Sequence, residues 1–82
     1  MKIYGYADAG LPIEQVVPEE LAEITVCADP SELRQMAAFL ESCAIEMERM
    51  GSTYSHVHLA DRIKQFESSP HFVVAGSESD ET

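Results

Sequence analysis

One segment of this chain is committed to a long helix whatever surrounds it. Asp29-Pro30-Ser31-Glu32 sets a carboxylate at the N-cap, a proline at the first helical position and a glutamate at the third. From there an apolar stripe runs Leu33, Met36, Ala37, Leu40, Cys43, Ala44, Met47, with Met50 at its margin. That is helical spacing over roughly four to five turns. Arg34, Gln35, Glu41, Ser42, Glu46 and Arg49 fall on the other side, and Gly51 is a natural stop. Phe39 lies at the boundary of the apolar arc, about a quarter turn from its centre. Glu46 is within pairing distance of Arg49, three residues on, which contributes a few tenths of a kcal/mol at most.

The helix takes up a large part of an 82-residue chain. What remains must supply a surface to cover it. Residues 2–7 read as a strand, with Ile3 on one face and Tyr4 and Tyr6 on the other. Residues 8–19 carry Asp8, Gly10, Pro12 and Pro18, which break regular structure. Ile13 to Val17 fits either a short helical turn or an edge strand. Residues 20–28 alternate as a second strand, with Ala22, Ile24, Val26 and Ala28 on its core face. After the helix, residues 52–58 begin as a loop and become strand. Leu59, Ile63 and Phe66 then mark a short helix over 59–67, and His71 to Ala75 form the last strand. The expected fold is α+β: a small antiparallel sheet of three to four strands with one long helix packed on one face. Residues 1–75 form a single domain in this reading, and residues 76–82 a disordered acidic tail.

Charge narrows the function classes. Fifteen acidic residues face five basic ones, for a net charge of −10. Nucleic-acid phosphates and anionic membranes would both be repelled. A basic protein partner suits this balance, as does plain solubility. No stretch approaches the roughly 18 apolar residues of a membrane span. The opening residues lack a signal-peptide pattern, and two cysteines, Cys27 and Cys43, make no disulfide framework. The expected location is therefore a reducing cytoplasm.

Three groups of residues could carry chemistry. His56 and His58 share a face of an extended strand, where Asp61 or His71 could complete a metal site. The bland alternative is a pair of histidines that orient a loop or touch a partner. Cys43 lies in the apolar stripe and reads as core, whereas Cys27 points outward and would need a base to act as a nucleophile. Among fifteen carboxylates, close pairs are expected by chance. No glycine-rich phosphate loop or nucleophile elbow is present. Tyr4 and Tyr6 stand opposite Ile3, and they suit either an interface or an exposed sheet face.

Several of these pieces occur together. Met1-Lys2-Ile3-Tyr4-Gly5-Tyr6 is followed by Glu23-Ile24-Thr25-Val26, then Ala28-Asp29-Pro30-Ser31-Glu32-Leu33, then Gly51 and His56-x-His58-Leu59-x-Asp61. The combination resembles the family of small immunity proteins numbered thirty-two among bacterial polymorphic toxin systems. The resemblance spans roughly residues 1–75, and its motifs are short. It implies a cytoplasmic protein, not an enzyme, that binds and neutralises a cognate toxin domain. A basic nuclease would suit the acidic charge. It implies no cofactor, and no catalytic residue to carry over. The matching His56, His58 and Asp61 are candidates for a structural or recognition role. Segment 11–19 has no place in the family pattern.

The expected contact residues are Tyr4, Tyr6, Glu23, Glu41 and Glu48, together with His56, His58 and Asp61. The partner is a protein toxin domain, with no nucleic acid and no membrane. A homodimer through the uncovered sheet face stays open. Two other readings compete. One is a small metal- or ligand-binding module centred on His56, His58 and Asp61, and the other is a cysteine hydrolase using Cys27.

Overall fold

The computed structural model describes residues 1–76. The long helix, α1, spans Pro30–Met50. Its start is closed by a reciprocal cap. The Asp29 carboxylate accepts the Glu32 backbone N–H at 2.8 Å, and the Glu32 carboxylate accepts the Asp29 N–H at 2.9 Å. Losing such a cap costs about 1 kcal/mol. At the far end Gly51 adopts φ 57°, a left-handed value that only glycine takes without penalty, and its N–H returns to the Met47 carbonyl.

Among the described residues four strands are present, but in two separate ladders rather than one sheet. β1 (Tyr4–Gly5) pairs antiparallel with β2 (Glu19–Glu20), and the Leu21 N–H extends the pairing to the Ile3 carbonyl at 2.6 Å. β3 (His56–His58) pairs antiparallel with β4 (Val73–Ala75), with Val57 opposite Val74. Bonds from Leu59 N–H to Phe72 O and from Gly76 N–H to Ser55 O close that ladder at both ends. The single three- to four-stranded sheet expected from the sequence is thus corrected to two hairpin ladders. The ambiguous segment before β2 holds a 3-10 turn at Ile13–Gln15. Of the tail expected at 76–82, Gly76 belongs to the second ladder and the rest lies outside the described residues.

The strand expected at 20–28 ends at Glu20. Ile24 and Val26, read as core, are 46 % and 47 % exposed. Alternation makes a strand only where a neighbour offers its backbone. Here the core is built without this segment. Phe39 and Cys43 of α1 pack against Leu59 of α2 (Leu59–Arg62) and Phe66 of the following 3-10 turn, Lys64–Phe66. Met36, Val57, Ala60, Ile63, Phe72 and Val74 surround them. Phe39 meets Phe72 edge to face, with ring centroids 6.5 Å apart. Every member of this cluster comes from residues 36–74.

That choice of partners also rotates the helix. Phe39 is 3 % exposed and Cys43 is fully buried, while Leu33 and Leu40 are 48 % and 46 % exposed. The apolar arc of α1 is wider than the surface that covers it. Phe39, expected at its margin, sits at the centre of the contact because Leu59, Phe66 and Phe72 all converge there. The short helix expected at 59–67 is split at Ile63, whose φ −128° and ψ 105° are extended. Its apolar positions remain as expected, with Leu59 and Phe66 buried.

Candidate partner-binding surface

The expected contact residues fall in four separate stretches of the chain. Tyr4 in β1 and Tyr6 just beyond it are both exposed, on the ladder that contributes nothing to the core cluster. Glu41 and Glu48 lie seven residues apart on the outward side of α1, and Glu23 is exposed in the irregular stretch before it. His56, His58 and Asp61 belong to β3 and α2.

The structure does bring the histidines together. The His56 and His58 rings lie 5.3 Å apart, and His71 stands 5.8 Å from His58 across the hairpin. The His56 Nδ1 is hydrogen-bonded to the Ser55 hydroxyl at 2.9 Å. Asp61 does not join them. It is exposed on α2 and makes no hydrogen bond or ion pair among the described residues. Among those residues, no three His, Cys, Asp or Glu side chains are grouped as metal ligands. The histidine row therefore presents a polar surface of three ring edges.

A cleft of about 240 Å³ opens where residues 25–28 pass the start of α1. Val26, Cys27, Met36, Phe66, His71 and Phe72 line it. Cys27 is an exposed free thiol, and no hydrogen bond joins it to a described histidine. A nucleophilic cysteine needs a base or cation in place, and this one has neither bonded to it. Cys43, read as core, is buried.

Three long-range side-chain links tie the C-terminal half together, and nothing in the sequence spacing announces them. Gln35 on α1 donates its amide Nε2 to Gln65 Oε1 at 3.1 Å. Arg62 donates from its two terminal guanidinium nitrogens, Nη1 and Nη2, to the two Glu46 carboxylate oxygens at 2.8 and 2.9 Å. Glu46 thus finds its partner sixteen residues away rather than in Arg49, the pairing expected from helical spacing. The Arg62 hydrogen bond holds the Glu46 carboxyl below its ordinary range, against a smaller opposing effect of burial, with further help from the charges of Arg62 and Arg49. Tyr54 donates its hydroxyl to the Val74 carbonyl at 3.0 Å. Burial and the neighbouring Cys43 thiol push its phenol up to about 12.

The surface thus presents exposed tyrosines, outward carboxylates on α1 and a row of imidazole edges, with no assembled catalytic or metal-binding centre among the described residues. A protein-family model, Immunity protein 32, matches residues 23–77. The chain belongs to that family. The matched span holds the capped start of α1 and the His56-x-His58-Leu59-x-Asp61 segment, but not the N-terminal Met1-to-Tyr6 piece of the expected resemblance. Among curated proteins and among solved structures, none matches the chain significantly. No helix among the described residues is long and apolar enough to cross a membrane.

Proposed function

We propose that this protein is an inhibitor that binds a cognate toxin domain in the bacterial cytoplasm and neutralises it by direct contact, without catalysis. The observation that carries this reading is family membership over residues 23–77. A net charge of −10 supports a basic partner, such as a nuclease domain whose own surface is built to hold phosphates. Long-range attraction would speed encounter, and the gain would shrink as salt screens it.

Tyr4 and Tyr6 are the proposed apolar anchors, supported by their exposure and by the large contact area that tyrosine offers at low entropic cost. Glu23, Glu41 and Glu48 would supply the charged rim, with His56, His58 and Asp61 as polar contacts. No cofactor enters this reading. The test is affinity capture of the tagged full-length chain from its host at low and moderate salt, read by mass spectrometry. The expected result is one basic protein at near-unit stoichiometry, held more firmly at low salt. Folded bait that retains no basic protein, from cells shown to contain toxin-bearing proteins, would contradict it.

A further inference from the structure

The covered side of α1 is settled by the core, but its adjoining flank is not. Leu33, Ala37, Leu40, Ala44 and Met47 follow one another at steps of four, three, four and three residues. That is the seam of a two-helix coiled coil. Leu33, Ala37, Leu40 and Ala44 are exposed and Met47 is half-buried, so no element of the described chain occupies the seam.

The seam has a property that selects its occupant. Its order of sizes is large, small, large, small, large, and it reads the same in both directions. Set antiparallel against a copy of itself, it layers Leu40 against Ala44 and Ala37 against Met47, large against small across the pair. An alanine in each layer lets the two backbones approach closely. Beside the seam runs a line of charges, Arg34, Glu41 and Glu48, again seven residues apart. The same reversal brings Arg34 of each copy to Glu48 of the other. Arg34 makes no ion pair among the described residues.

We propose that the outer flank of α1 joins two copies of this chain in an antiparallel pair. The charge balance gives the pair a distinctive signature. Two chains of −10 repel, so the dimer tightens as salt rises. A complex with a basic toxin domain does the opposite. Glu41 and Glu48 border both surfaces, so the two complexes compete for them, and their opposite responses to salt tell them apart. In this register Glu41 faces its own copy, so Glu41→Gln also tightens the pair.

The test is the solution mass of the full-length chain by sedimentation equilibrium, over a range of protein and salt concentrations. A dimer that strengthens with salt is expected. Leu40→Glu should weaken it by more than about a hundredfold, since it buries carboxylates at the centre of the seam. Arg34→Glu should weaken it by roughly three- to tenfold, and Arg34→Glu with Glu48→Arg should restore it. Both charge positions are exposed, so this pair reports even if Leu40→Glu does not fold. A wild-type chain that stays monomeric at millimolar concentration would overturn the proposal. So would a dimer indifferent to both the leucine and the charge reversal. A chain that is monomeric alone, and binds a basic toxin domain through Leu40, would reassign the seam to that partner.

Discussion

Arg62 holds Glu46 by two parallel hydrogen bonds of 2.8 and 2.9 Å, clamping α2 against α1. The Glu46 carboxyl is held below its ordinary value, so the pair contributes stability that is present above the unfolded glutamate pKa of 4.5. That stability is lost as pH falls through the lower folded value. Thermal unfolding of the wild type should therefore show a drop in melting temperature below pH 4.5 that is smaller in Glu46→Gln. Arg62→Lys should lower the melting temperature at neutral pH, because an ammonium cannot reproduce the two-pronged contact. An identical acid profile in wild type and Glu46→Gln would show that the clamp contributes nothing.

Neighbouring helix positions should respond very differently to truncation. Phe39→Ala should cost about 3–5 kcal/mol, because it empties the point where Leu59, Phe66 and Phe72 converge. Leu40→Ala, measured at dilution, should cost less than about 1 kcal/mol, since that side chain is already half in water. Denaturant unfolding of both variants decides between this packing and a helix rotated toward Leu40. Equal losses would contradict the packing described.

Tyr54, just past the Gly51–Thr53 turn that follows α1, is tied to the last strand through the Val74 carbonyl. With its phenol raised from 10.0 to about 12, its contribution is fully present below pH 10. It disappears as pH rises through about 12. Ultraviolet titration should show one phenolate forming only near that upper value. Tyr54→Phe should cost about 1 kcal/mol at neutral pH and abolish the late titration. A Tyr54 phenol that ionises near its ordinary value of 10.0 would show that it is not buried beside Cys43 in solution.

Tyr6→Ala should leave the melting temperature unchanged, because the residue is exposed and outside the core cluster. If Tyr6 anchors the toxin domain, the variant should bind it about tenfold more weakly by calorimetry. Normal folding with undiminished affinity would remove Tyr6 from the interface.

The legible parts of this fold are those fixed by neighbours in sequence. Asp29, Pro30, Glu32 and Gly51 set both ends of α1 through local bonds, and the structure keeps each one. Cys43 in the core and the apolar trio Leu59, Ile63 and Phe66 follow from helical spacing alone. The illegible parts depend on distant partners. The arc from Phe39 to Leu40 is apolar throughout, and only the docking of the β3–β4 hairpin and α2 decides which part is buried. Residues 20–28 have strand alternation, yet a strand forms only beside another, and past Leu21 none of the described residues pairs with them. At the surface, the pairing of His56 with His58 was readable from their spacing, whereas the Arg62 contact to Glu46 spans sixteen residues and leaves no local trace.

The central claim is protection, and growth measures it. The basic toxin domain captured with this chain should be expressed in a sensitive host, alone and together with the full-length protein. Arrested growth with the domain alone, and restored growth when this protein is co-expressed, is the predicted result. Restoration should fail with a chain that folds but no longer binds the domain. Growth that stays arrested, despite a folded and abundant inhibitor bound to the domain, would contradict the claim that this protein neutralises its partner.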